Sequence, residues 1–254
     1  MLDLSLEGKV ALITGGSAGI GLATAKLFAE HGAAVAIAGR SQDTLDQALN
    51  ELTNITAQAM ALSADMANDD DLETLVAETT ARFGGVDVLV NNAGTGRQAA
   101  MAEMSKDDFS EVMQVNVWAP IRLAQLCRPS MLERGGGVIL NIASNEALRP
   151  SIDLGVYPPS KSALANVTQM MAKEWGAQNI RAVCIAPGLV RTKLAAPLIE
   201  LVEAQNLQLN PSGTIGEPHD IAAFALLCAT DAGRFAAAST LVVDGGELSM
   251  GPFG

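Results

Sequence analysis

The chain has 254 residues, 49% of them hydrophobic and only 4% aromatic, so Ala, Val, Ile and Leu must fill its interior and a disordered chain is excluded. Its formal charge of −12 repels phosphate backbones and anionic lipid surfaces at long range. That argues against nucleic-acid and membrane partners, while one or two basic groups in a low-dielectric cleft can still hold a small anion.

The first strand is "VALIT" (10–14), followed by the Gly-rich "TGGSAGIG" of residues 14–21. A helix follows in which Ile20, Ala23, Thr24, Leu27 and Phe28 recur at helical spacing until Gly32 stops it. "AVAIA" (34–38) predicts the next strand. Asn68 before Asp69, Asp70 and Asp71 marks a helix start, "VDVLV" (86–90) a strand, and Ser105 three residues before Asp108 another helix start. "GVILNIA" (137–143), "RAVCIA" (181–186) and "TLVVD" (240–244) complete six buried-strand runs. After the fourth of these comes "VYPPSK" (156–161), which holds the only tyrosine of the chain. Its two prolines predict that the helix carrying Lys161 begins at Pro158 or Pro159, with Tyr157 extended at its lip and outside regular i, i+4 register with the lysine.

Strand and helix in steady alternation imply right-handed βαβ crossovers, hence an α/β doubly wound parallel sheet with helices on both faces, a Rossmann fold in a single domain spanning 1–254. The apolar run "IAAFALLCA" (221–229) is too short to span a bilayer, the amino-terminal stretch lacks a cleavable apolar core, and a soluble cytoplasmic protein is expected. Cys127, Cys184 and Cys228 form no CxxC pair, and His31 and His219 have no ligand spacing, so buried reduced thiols and no metal site are expected.

A Gly-rich turn between strand and helix lets main chain approach a pyrophosphate, whose charge then rests on the helix N-terminus. The spacing Gly15, Gly19, Gly21, followed by "NNAG" (91–94) and by Tyr157-xxx-Lys161, resembles the short-chain dehydrogenase/reductase family over essentially the whole chain. The resemblance implies a dinucleotide along Gly15, Ser17, Gly19, Ile20 and Gly21, with Asp65 and Met66 at the adenine, and Asn91, Asn92, Ala93 and Gly94 further along. "NNAG" also reads as structure that holds the central sheet. Pro187, Gly188, Val190 and Thr192 match the "PGxxxT" pattern beside the carboxamide or pyrophosphate.

At the end of the second strand, Gly39 stands where an acidic ribose ligand would favour NAD, and Arg40 and Ser41 follow. Arg offers a planar fork to a 2′-phosphate, so NADP(H) is the expected cofactor and NAD(H) the alternative.

A metal-free carbonyl reductase or alcohol dehydrogenase needs a side chain to carry the hydroxyl proton. Tyr157 is the candidate, with Lys161 as the cation that lowers its pKa. The resemblance adds Ser144, thirteen residues before the tyrosine, to orient the substrate oxygen, and Asn116 to support a proton relay. A segment at about 189–216 resembles a substrate lid, with Leu194, Leu198, Ile199 and Leu201 as apolar candidates. Arg97, Glu146 and Arg149 are candidate recognition charges or solvated loop residues.

The expected partner is a small carbonyl or alcohol. A 3-oxoacyl thioester reductase and an NAD-dependent alcohol dehydrogenase remain alternatives. A non-catalytic dinucleotide sensor and a methyltransferase leave the Ser, Tyr and Lys without a role. The resemblance also implies a homo-oligomer, commonly a tetramer. Ala163, Ala165, Val167 and Met171 offer either close packing between subunits or an ordinary core face.

Overall fold

The computed structural model describes residues 2–250; residues 1 and 251–254 of the expected domain lie outside the described residues. The strands are Val10–Thr14 (β1), Ala34–Gly39 (β2), Ala59–Ser63 (β3), Val88–Asn91 (β4), Gly137–Ile142 (β5), Ile180–Pro187 (β6) and Thr240–Val243 (β7). All pair in parallel in the order β3-β2-β1-β4-β5-β6-β7. The helices are Gly19–Glu30 (α1), Gln42–Thr53 (α2), Asp69–Phe83 (α3), Lys106–Met113 (α4), Ala119–Glu133 (α5), Tyr157–Trp175 (α6), Ala196–Gln205 (α7) and Pro218–Ala229 (α8).

Alternation along each strand sends side chains to two separate cores. Ala11 and Ile13 pack with Phe28, Leu45 and Ile221 under α1, α2 and α8, while Leu12 packs with Leu72, Leu123 and Met171 under α3, α5 and α6. Phe28 alone, fully buried, contributes roughly 2–3 kcal/mol by removing its ring from water. The strand order reverses between β1 and β4, and a doubly wound sheet opens its ligand crevice at the carboxyl ends of such a switch point.

Six strand runs were expected and seven strands form; the additional one is β3, "AMALS". It holds no β-branched residue and lies half-buried at the sheet edge, so neither composition nor an unbroken apolar run marks it. Asn68 and Ser105 cap their helices as expected, accepting from the Asp70 and Asp108 N–H groups at 3.0 Å.

The expectation for α6 needs correction. The helix opens at Tyr157 itself, and Ser160 N–H donates to the Val156 carbonyl at 2.9 Å. Tyr157 is indeed the lip, but it is helical, and Lys161 follows it in ordinary i, i+4 register. Pro158 and Pro159 occupy the second and third helical positions, where a missing N–H leaves nothing unpaired, and the pre-proline bias of Tyr157 is overridden. The Ser160 hydroxyl holds the Tyr157 carbonyl at 2.7 Å. Further along the helix, Ala165 and Met171 are buried in the cores, and Ala163 and Val167 are half-buried, Val167 packing against the core.

Candidate active site

Helix α1 starts differently from its neighbours. Ala18 at its N-cap offers no side-chain acceptor and its first turn holds no acid, whereas α3 has Asn68 and three aspartates. The first N–H groups of α1 and its dipole are therefore free for an anion. The turn ahead of it is close-packed: Gly15 has φ +62°, and a Cβ on Gly21 would run into the Gly15 carbonyl. These features fit a dinucleotide pyrophosphate.

Asn92 was expected on the cofactor, but its amide donates to the Thr14 and Gly15 carbonyls at 3.0 and 3.1 Å. Its own N–H and that of Ala93 donate to Thr14 Oγ1 at 3.1 and 3.0 Å. Asn92 thus ties the end of β4 to the phosphate turn, and Thr14, which sequence reading passed over, is the knot. Asn91 bridges strands, donating to Asn141 Oδ1 at 2.8 Å.

Met66 and Val190 were also expected at the cofactor; both side chains are buried in the cores, leaving only main chain to meet a ligand. Ile20 likewise packs partly against the core. Asp65 is exposed, with one carboxylate oxygen accepting from Ala67 N–H at 3.0 Å. Gly39 backs onto Ser17, whose Oγ lies 3.1 Å from where a Cβ would stand. Arg40 and Ser41 are exposed beyond it; among the described residues the Arg40 guanidinium makes no ion pair. Gly188, after Pro187 at the end of β6, lies against Asp244. Thr192 presents its methyl group to Gly19, 3.2 Å from a Cβ position there, and its hydroxyl accepts from Ala195 N–H at 3.4 Å. Gly19, Thr192, Lys193 and Ile199 line one cleft of about 330 Å³.

Ser144, Tyr157 and Lys161 come together past the end of β5. Ser144 caps a short turn, accepting from Glu146 N–H at 3.2 Å, and its hydroxyl donates to Asn145 Oδ1 at 3.3 Å. Burial pushes the Tyr157 pKa up, the Ser144 hydroxyl opposes the rise, and Glu146 adds to it. Lys161 is buried, donates to the Ile142 carbonyl at 2.9 Å, and is pushed down to about 8 by desolvation. Its Nζ lies 5.7 Å from the Tyr157 ring centroid. The expected depression of the phenol by Lys161 is thus not what the protein groups produce; burial dominates both.

Asn116 sits in a π-helical segment, Gln114–Trp118, between α4 and α5. Its Oδ1 accepts from Thr95 N–H at 2.9 Å, and its Nδ2 donates to the Thr95 carbonyl at 2.8 Å and to Ser160 Oγ at 2.9 Å. Both amide hydrogens are occupied, so only the second Oδ1 lone pair is left for a water. Asn116 Oδ1 and Lys161 Nζ lie 3.4 and 3.3 Å from the Cβ position of Gly94, flanking one spot. Ser160, fully buried, joins Asn116 to the Tyr157 carbonyl; the sequence signal was a hydroxyl directly before the lysine.

The three candidate recognition charges are occupied within the protein. Arg97 grips Glu111 at 2.8 and 3.1 Å, and Glu146 accepts from the Ser151 N–H and hydroxyl, both at 2.7 Å. Arg149 donates to the Glu247 and Met250 carbonyls at 3.0 and 2.7 Å. Each hydrogen bond closes a loop around the site.

The sequence matches the short chain dehydrogenase family over residues 9–202. A 3alpha-hydroxysteroid dehydrogenase of Mediterraneibacter gnavus is 36% identical over 97% of this chain and 99% of its own. Among solved structures, L-sorbose reductase from Gluconobacter frateurii, complexed with NADPH and L-sorbose, superposes with a TM-score of 0.93 at 32% identity, covering 98% of this chain and 100% of that one. A 7 alpha-hydroxysteroid dehydrogenase complexed with NADH and 7-oxo glycochenodeoxycholic acid superposes with a TM-score of 0.92 at 36% identity, covering 96% of each. With the bare phosphate turn, the Ser, Tyr and Lys cluster and these likenesses in agreement, the chain belongs to the short-chain dehydrogenase/reductase family and is an NAD(P)-dependent oxidoreductase that interconverts carbonyl and alcohol groups.

Proposed function

We propose that this oxidoreductase works preferentially with NADP(H), through Tyr157 as general acid and base, Ser144 as the donor that orients the substrate oxygen, and Lys161 and Asn116 as their support. The convergence of Ser144, Tyr157 and Lys161 beside the uncapped start of α1 carries this reading. The bound nicotinamide would supply or accept the hydride at the reacting carbon. In the reducing direction Tyr157 gives its phenolic proton to the carbonyl oxygen as that oxygen gains charge, and in the oxidising direction it takes the proton back. Ser144 donates to the same oxygen and stabilises the developing charge. Lys161, one turn along α6 with its ammonium 5.7 Å from the ring and donating to the Ile142 carbonyl, braces the inner side of the site.

Support for NADP(H) comes from Arg40, exposed at the end of β2 and unpaired among the described residues, and from Gly39, where no carboxylate is present to repel a 2′-phosphate. Replacing Arg40 by Ala is expected to weaken NADPH roughly tenfold or more, the worth of a charge-assisted hydrogen bond, with NADH little changed. Steady-state kinetics with both cofactors tests this, and a native preference for NADH by more than tenfold would overturn it.

Residues 189–216 would act as a substrate lid, rooted by the Val190 to Gly216 bridge and by Arg191, which pairs with Glu203 at 2.9 Å and Glu217 at 3.1 Å. A single domain and a homotetramer complete the reading; Phe109 and Met170 on α4 and α6, and Phe224 and Phe235 by α8, are exposed apolar side chains suited to subunit contacts. Among the described residues no helix is long and apolar enough to cross a membrane, and three buried unpaired thiols suit a cytoplasmic site.

A further inference from the structure

We infer that Asp69, exposed at the start of α3, is a positioning residue for the reaction: it holds both ends of the π-helical segment whose middle residue is Asn116. This rests on the reading of Asn116 as support for the proton carrier and extends it to a side chain on a separate element.

The segment has a local cause. Pro120 has no N–H to give to the Asn116 carbonyl, four residues back, and its ring would crowd that carbonyl. Ala119 N–H instead reaches the Gln114 carbonyl, the five-residue span of a π turn. The proline explains the looser turn but leaves open which way its side chains face.

Hydrogen bonds to two different neighbours decide that. Asn116, fully buried, is held by the Thr95 main chain and by Ser160 Oγ. Gln114 and Trp118, before and after it, both reach Asp69. The Trp118 indole N–H donates to Oδ1 at 2.9 Å and to Oδ2 at 3.2 Å, and Gln114 Nε2 donates to Oδ1 at 3.4 Å. One carboxylate thus spans the segment, and its charge makes it a stronger acceptor than a neutral group.

The frame around Asp69 is fixed without it. Asn68 caps α3, Asp70 and Asp71 keep its first turn acidic, and one turn on Arg122 of α5 pairs with Glu73 of α3 at 2.6 Å. The Asp69 carboxylate is therefore not needed to start the helix or to dock it against α5. Without its grip the π turn is free to rotate, carrying Asn116 Oδ1 off the spot beside Gly94 that it flanks with Lys161 Nζ. Such a displacement costs rate rather than binding, because the amide acts through the proton carrier.

The test measures kcat, KM and the solvent deuterium isotope effect with NADPH and two probes, cyclohexanone and ethyl acetoacetate. Asp69→Ala is expected to lower kcat about tenfold and to raise the isotope effect, with KM for probe and NADPH within about twofold. Asp69→Asn keeps an oxygen for the indole N–H and should restore most of the rate. Glu73→Gln breaks only the neighbouring ion pair and should leave kcat unchanged. In the Asn116→Ala background, Asp69→Ala should cost nothing further. Parent kcat in Asp69→Ala, an equal loss in Glu73→Gln, or additive losses in the double variant each overturn the positioning role and leave the Asn116 reading standing. Parent kcat in Asn116→Ala sinks that reading, and the positioning role with it. A crystal structure of Asp69→Ala needs no substrate: Asn116 is expected to have left Thr95 and Ser160, and an unmoved Asn116 overturns the proposal.

Discussion

At the turn between β1 and α1 the groups aimed at a ligand are main-chain N–H donors with no capping side chain, whereas at the start of α6 they are side chains, the half-buried Tyr157 and the buried Lys161. The first arrangement grips a charge that never changes, so geometry and an open helix dipole suffice. The second must move a proton, so it needs groups whose pKa values respond to burial and to each other. α3 supplies the contrast within the nucleotide half: the same kind of helix start, closed by Asn68 and three aspartates, is sealed against an anion.

Substitutions separate these roles. Tyr157→Phe removes the proton carrier and should lower kcat by about a thousandfold, within the usual range for general acid and base groups, while fluorescence titration finds NADPH binding within about twofold of the parent. A variant that keeps its turnover would remove Tyr157 from the mechanism.

Lys161 gives the next effect, through pH. Its folded pKa, about 8, lies below the ordinary 10.5, so the unfolded chain binds the extra proton between those values. The stability of the apoprotein therefore rises as pH increases through that window, as the buried charge is relieved. Denaturant unfolding of the parent against Lys161→Met should show the difference changing by roughly 3 kcal/mol between its ends. A flat difference contradicts the desolvation account.

Gly21→Ala probes the main-chain site. The added methyl collides with the Gly15 carbonyl, and displacing the turn should weaken NADPH by about thirtyfold, equivalent to roughly 2 kcal/mol of backbone strain. Unchanged binding would mean that the turn does not hold the phosphates. Asn68→Ala is the mildest: about 1 kcal/mol of stability, or 2–4 °C in Tm, with kinetic constants untouched. Any loss of cofactor affinity there would blur the distinction between the open and closed helix starts.

Much of the nucleotide half could be read from sequence because its signals are local. A Gly pattern between a strand and an amphipathic helix describes its own geometry, and Asn68 and Ser105 cap as their neighbours require. β3 escaped because strand pairing at a sheet edge supplies what "AMALS" lacks in propensity. Asn92, expected along the cofactor, also holds the Thr14 and Gly15 carbonyls, pairings across 78 and 77 positions that local sequence does not announce. Arg97 and Arg149 looked like recognition charges until the fold provided Glu111 and the carboxyl-terminal carbonyls as partners.

By itself the sequence determined the doubly wound class, the phosphate turn, the absence of an acid at position 39, and the tyrosine and lysine four residues apart, because each is a matter of residue type and short spacing. Tertiary structure alone decided that the double proline opens α6 at Tyr157, that Ser160 links Asn116 to that helix start, and that Arg97 and Arg191 are ion-paired while Arg149 is held by main-chain carbonyls. Burial and long-range pairing set those outcomes, since desolvation and a partner's charge depend on what the rest of the chain brings near.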